Sequence, residues 1–193
     1  MNDTKIRCSW CLGNDLYMKY HDEEWGVPEH RDQVLFEFLT LEGAQAGLSW
    51  ITILKRRANY RKAFANFNIA EVANFSENDY NTLLLDAGII RNRLKIQSTI
   101  TNAKQCLAII DEFGSLNKYL WQFSGHKQIN HAYSTINSIP ATDEIASKIS
   151  KELLKRGFRF VGPTICYSFM QATGMVNDHV ISCYRYHKLS DLS

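Results

Sequence analysis

LFEFLTLEGAQAGLSW, residues 35–50, decides how the rest of the chain is read. Leu35, Phe38, Leu39, Glu42 and Ala46 recur at helical spacing. Seven residues of an ideal helix drift by only about 20°, so Glu42 points nearly the same way as Leu35, onto the apolar stripe. Isolated buried charge is expensive, and Glu is rarely buried without a partner. The helix breaks at Ala46-Gly47-Leu48-Ser49, where Ser49 is a candidate cap for a new helix opening with Trp50. An inward acid, a glycine turn with an apolar tip and a large aromatic together suggest the wall of a pocket. The plainer alternatives are that Glu42 sits at a rim or bonds the Gly47–Ser49 turn, and that Trp50 is a core aromatic.

The 193 residues suit one domain or two closely packed lobes. With 45% hydrophobic residues and only 3 prolines, the composition argues against disorder. No apolar run approaches membrane-spanning length, and Met1–Ile6 does not read as a signal peptide. A cytoplasmic monomer with no membrane partner is the expectation. The five cysteines, Cys8, Cys11, Cys106, Cys166 and Cys183, then suggest metal ligands or free thiols rather than disulfides. A net charge of +2 does not by itself announce a nucleic-acid partner. Local clusters at Lys55-Arg56-Arg57 with Arg61-Lys62, at Arg91, Arg93 and Lys95, and at Lys155-Arg156 with Arg159 fit either solvated helix faces or phosphate contacts.

Helices are predicted at about 32–46, 49–66, 69–74, 77–86, 91–112, 115–123, 142–155 and 162–173, with a short one around Asp15–His21. Asp32, Ser49, Ser76 and Thr142 are candidate caps; Gly88, Gly114, Gly125, Gly157 and Gly174 are candidate stops. No alternating strand pattern or repeat is evident, so the fold class is all-α, a compact multi-helix array. Gly125–Ala141 reads as a long surface connection. Two helix–turn–helix spots stand out, Leu83–Lys95 and Lys148–Phe169. In the second, a basic helix stops at Gly157, a hairpin covers Phe158–Val161, and Gly162-Pro163 opens an apolar helix. Backbone amides there could grip a DNA phosphate without reading sequence; a plain αα-hairpin has the same pattern.

His179 and Cys183 stand four apart, on one face if helical. With Cys8 and His21 they would complete a Cys₂His₂ set suited to tetrahedral zinc, leaving no open position and hence a structural metal. Spacing alone favours accidental pairing, and Cys8-x-x-Cys11 offers another pair.

The strings RCSW (7–10), YHDEEWGVP (20–28), LEGAQAGLSWITIL (41–54), NYRKAF (59–64), DAGIIRNRLKI (86–96) and KRGFRFVGPTICYSFMQATGMVNDHV (155–180) together resemble the DNA-3-methyladenine glycosylase I family. The resemblance runs almost end to end, Gly125–Ala141 and the last few residues excepted. It implies a helix–hairpin–helix glycosylase fold over 1–193, with the helix–hairpin–helix at about 148–173. It implies a structural zinc held by Cys8, His21, His179 and Cys183, clipping the termini together. It also implies base-excision repair: monofunctional hydrolysis, without strand cleavage, that frees 3-methyladenine from alkylated double-stranded DNA. Glu42 would be the catalytic acid side chain, Tyr20 and Trp50 the base-binding rings, and Trp10, Tyr17 and Trp25 their neighbours. Gly47 and Leu48 would wedge into the duplex, and Gly157, Phe158, Arg159 and Gly162 would meet its backbone. Asp178 is expected to be structural, as a helix cap. The competing classes are a non-enzymatic helix–hairpin–helix DNA-binding protein and a zinc-dependent hydrolase.

Overall fold

The computed structural model describes residues 5–190; the leaderless reading of the first residues therefore lies partly outside it. Among these residues there are eleven α-helices and almost no sheet, the expected all-α class. Helix α1 (Asp15–Glu23) is capped by the Asn14 side chain, which accepts from Tyr17 N–H. Helix α2 (Asp32–Gln45) is the centre of the molecule. Every residue from Leu35 to Ala44 is buried, because α2 packs against helices on several sides. The predicted single stripe is therefore wrong in kind: α2 is buried all round, as central helices are.

The predicted 49–66 helix is two, α3 (Trp50–Leu54) and α4 (Arg57–Ala63). The bend between them lets Arg57 and Arg61 reach back to Glu37 on α2, at 2.7 and 2.8 Å. Short α5 (Ile69–Ala73) and α6 (Glu77–Leu85) follow, α6 opened by a Ser76–Asp79 capping box. Long α7 (Arg93–Phe113) ends on Gly114 in the left-handed region, and α8 (Leu116–Trp121) follows directly. Asp32 does not cap its own helix; its carboxylate accepts from Leu116 and Asn117 N–H and so caps α8. Helix α9 (Glu144–Lys155) is capped by Asp143 rather than Thr142. Pro163 opens α10 (Pro163–Ala172), as predicted.

Two features escaped the pattern reading. Ile129–Asn130 (β1) pairs in parallel with Val176–Asn177 (β2), Ile129 opposite Val176. A final helix, α11 (Tyr184–Ser190), packs by β2, and Tyr184 N–H bonds Ile6 O, joining the two ends of the described chain. Gly174 closes the body: at φ +69° a Cβ there would lie 2.3 Å from Val27 C, so only glycine lets residues 25–28 dock on the end of α10.

No described helix is long and apolar enough to cross a membrane.

Candidate functional site

Glu42 and Gln45 of α2, Trp50 of α3, and Tyr17 and Tyr20 of α1 line one cavity of about 350 Å³. Trp10, Trp25, Ser168 and Gln171 complete its polar and aromatic walls, and Ile136, Ile139 and Pro140 its apolar side. All six residues expected at a base pocket are thus brought together. The volume lies in the range of small-molecule sites, about 300–1,000 Å³.

The expected rim position of Glu42 is excluded: the residue is 5% exposed, and its carboxyl makes no hydrogen bond or ion pair among the described residues. Burial alone pushes that carboxyl up to about 8. The Gly47–Ser49 turn gives it no bond; Ser49 Oγ pairs with Thr52 Oγ1 instead, at 2.8 Å. The Tyr20 phenol beside it is also held well above its ordinary range, by burial and then by the Glu42 charge.

The aromatic rings brace one another. Trp10 meets Tyr17 and Trp25 edge to face, at 5.5 and 5.1 Å. Tyr20 and Trp50 touch at 5.5 Å with planes 49° apart. A flat ring inserted between two others needs about 7 Å, twice the carbon contact distance. Tyr20 and Trp50 therefore form an angled wall, not a slot. Tyr17 also braces the wall through the backbone. Its hydroxyl oxygen accepts from Ile51 N–H at 3.0 Å, satisfying an orphan donor at the start of α3 and fixing Trp50. The Trp50 indole N–H is buried without a partner.

Behind this wall Cys8, His21, His179 and Cys183, all fully buried, bring their ligand atoms within 4.8 Å of one another. Cys183 Sγ lies 3.4 Å from His21 Nε2 and 3.6 Å from His179 Nδ1; Cys8 Sγ lies 3.7 Å from His179 Nδ1. A tetrahedral metal with bonds of about 2.3 Å to sulfur and about 2.0–2.1 Å to nitrogen has S–N edges near 3.5 Å. The set fits. Hydrogen bonding to Cys8, then to His179 and His21, favours the thiolate form of Cys183, the form a metal would take. The remaining ring nitrogens are held too, His21 Nδ1 by Asp22 at 2.8 Å and His179 Nε2 by Trp25 O at 3.0 Å. Cys11 is outside the set; its thiol donates to Cys8 O at 3.1 Å. Both histidine rings pack against the cavity's tryptophans, Trp10 on His21 at 5.4 Å and Trp25 on His179 at 4.6 Å.

Of the residues expected to meet DNA, Gly47 (φ +78°) and Leu48 form an exposed turn at the end of α2. Gly157 (φ +89°) follows the end of α9, and Gly162 is the N-cap of α10, so a short turn joins the two helices. Arg159 is exposed, and its guanidinium has no partner among the described residues. Phe158 corrects the sequence reading: it is 1% exposed, so its ring serves the core and not a DNA surface. The basic clusters divide likewise. Arg57 pairs with Glu24 and Glu37, Arg61 with Glu37, Lys155 with Glu152 and Arg156 with Glu112, while Arg91 and Arg93 are exposed.

Asp178 caps no helix. Its buried carboxylate accepts from His131 Nδ1, Tyr167 Oη and Gln171 Nε2, each at 2.7 Å. Gln45, Ser168, Gln171 and the 136–140 segment were missed as lining residues. Ser168 and Gln171 share one face of α10 by their i, i+3 spacing, a legible signal; Ile136–Pro140 carry none, having no period.

A family model for methyladenine glycosylases matches residues 10–186. DNA-3-methyladenine glycosylase 1 of Escherichia coli (strain K12) is 50% identical over 181 residues, covering 93% of this chain and 96% of that one. A solved 3-methyladenine DNA glycosylase I superposes with a TM-score of 0.90 at 46% identity, over 93% of this chain and 98% of its own. The Staphylococcus aureus 3-methyladenine DNA glycosylase I, solved to show how 3-methyladenine is recognised, superposes with a TM-score of 0.91 at 33% identity, over 93% and 96%.

Proposed function

The chain belongs to the methyladenine glycosylase family, and from that premise we infer that it removes 3-methyladenine from alkylated double-stranded DNA by hydrolysing the N-glycosidic bond. The observation that carries this reading is the unpaired, buried Glu42 carboxyl in an aromatic-walled cavity.

Methylation at N3 leaves adenine with a delocalised positive charge, so the base is already a good leaving group. Extruding the nucleotide costs a few kcal/mol, least for a damaged base. Leu48, at the exposed turn, fills the space that the base vacates. Inside the cavity, aromatic faces favour a cation over a neutral ring by roughly 0.5–2 kcal/mol for each good contact. The cation also favours the ionised Glu42, whose charge has no other partner, and that carboxylate accepts from the exocyclic amino group. Guanine presents an oxygen at the same place and would be repelled. As the C1′–N9 bond breaks, the base leaves with the bonding electrons as neutral 3-methyladenine. Water bonds to C1′ and releases a proton. No lysine lines the cavity, so no Schiff base forms and the strand stays whole.

The Cys8, His21, His179 and Cys183 set would hold a structural zinc, its four ligands leaving no position to exchange. Its work is to lock residues near both ends of the chain together and to seat the histidines behind Trp10 and Trp25. The chain acts as one cytoplasmic, monomeric unit of two packed helical lobes, with the base between them and the 157–162 hairpin on the phosphate backbone.

The test is incubation with methylated duplex DNA and identification of the bases freed. The wild type releases 3-methyladenine, and Glu42→Gln does so at least about tenfold more slowly, a loss of roughly 1.4 kcal/mol of transition-state binding. DNA binding without any base release would instead mark a non-enzymatic binding module.

A further inference from the structure

We infer that one face of α7 acts as a ruler, with Lys95 and Asn102 as positioning residues that hold the two DNA-facing turns at a fixed spacing. Lys95 Nζ donates to Ala44 O at 2.8 Å and to Ala46 O at 2.7 Å. It thereby closes the C-terminal end of α2 and fixes the turn that carries Gly47 and Leu48. A cation bonded to the last carbonyls of a helix also complements the negative end of the helix dipole. Buried Asn102 holds the other turn by both its backbone groups: its Oδ1 accepts from Arg159 N–H at 2.8 Å, and its Nδ2 donates to Arg159 O at 2.9 Å.

Lys95 and Asn102 are seven residues apart, so their side chains leave α7 in nearly the same direction, about 10 Å apart along its axis. Both ends of this ruler are otherwise poorly determined by local structure. The Ala46–Ser49 turn is exposed and contains a glycine at φ +78°; the hairpin holds Phe160 at φ +55°, a conformation that a non-glycine residue adopts only when its surroundings impose it. A third contact closes the triangle. Gly43 of α2 lies so near the hairpin that a Cβ there would sit 3.2 Å from Phe160 Cβ and 3.3 Å from Phe160 O. The wedge and the phosphate grip are therefore registered against each other through α7 and α2, neither end being free to drift. An enzyme that pulls a base from the stack needs this: the strand held at the hairpin must present its nucleotide at the cavity mouth, and small misplacements are costly.

This inference rests on the proposed glycosylase reading. The test compares wild type, Lys95→Met, Lys95→Arg and Asn102→Ala in two assays: single-turnover release of 3-methyladenine from methylated duplex DNA, and affinity for free 3-methyladenine. Lys95→Met and Asn102→Ala each slow release from DNA about ten- to a hundredfold, while free-base affinity stays within about twofold because neither side chain lines the cavity. Lys95→Arg, which can still reach two carbonyls, recovers most of the rate. Lys95 is only partly buried, so its variants decide the matter if Asn102→Ala does not fold. Folded Lys95→Met or Asn102→Ala that excises at half the wild-type rate or better overturns the ruler, as does a parallel loss of free-base affinity. A wild type that frees no 3-methyladenine sinks the glycosylase reading itself, a separate outcome.

Discussion

Glu37 and Glu42 lie five residues apart on the same buried helix, and only Glu37 is neutralised. Arg57 and Arg61 both donate to the Glu37 carboxylate, whereas no described side chain hydrogen-bonds or ion-pairs with Glu42. The difference separates a charge that helps hold α2 to α4 from one left for a ligand. Uncompensated burial is a cost to the fold, and such costs collect at functional sites.

That cost has a pH signature. The Glu42 carboxyl is raised from an ordinary 4.5 to about 8 by burial. Between these values the folded protein binds a proton that the unfolded chain has released, so stability falls as pH rises across that window. Glu42→Gln removes the dependence. Its stability should match the wild type below pH 4.5 and exceed it by pH 8, by an amount on the order of a few kcal/mol. Thermal unfolding at a series of pH values reads this directly; identical pH profiles would refute the unpaired burial.

Metal removal should act on stability and on the cavity together, because His21 and His179 sit against Trp10 and Trp25. Chelation, or Cys183→Ala, is expected to lower the melting temperature steeply, since binding at such a site is coupled to folding. It should also weaken binding of free 3-methyladenine. Cys11→Ser should leave one zinc per chain, its thiol lying outside the cluster. Metal analysis of the purified variants checks both halves; zinc lost with Cys11 would reassign the ligand.

Asp178→Asn separates a structural carboxylate from a catalytic one. All of its hydrogen bonds go to His131, Tyr167 and Gln171, and it is 1% exposed. The variant should lose roughly 1–3 kcal/mol of stability, the usual cost of a damaged buried bond to a charged group. Excision measured well below its melting temperature should change less than about tenfold. A general base at this position would instead cost about 10²–10⁴-fold.

The all-α class, most helix positions, the four residues of the Cys₂His₂ cluster and the six pocket residues from Trp10 to Trp50 were legible in the sequence. Helical periodicity, capping chemistry and family-like motifs are local properties, and short strings display them. Even there, Glu42 stood out for a partly mistaken reason. A one-sided stripe was expected, but α2 is buried all round, and the stripe alone would not have told Glu42 from Glu37. Only the tertiary structure decided which acid is paired, because Arg57 and Arg61 approach from a different helix. It turned the Cys11 thiol away to Cys8 O, turned Phe158 inward, and brought Ile136–Pro140 to the cavity. It alone joined Lys95 to the α2 turn and Asn102 to the hairpin. Each of these depends on where distant segments meet, and a linear pattern carries the chemistry of a side chain but not the identity of its neighbour.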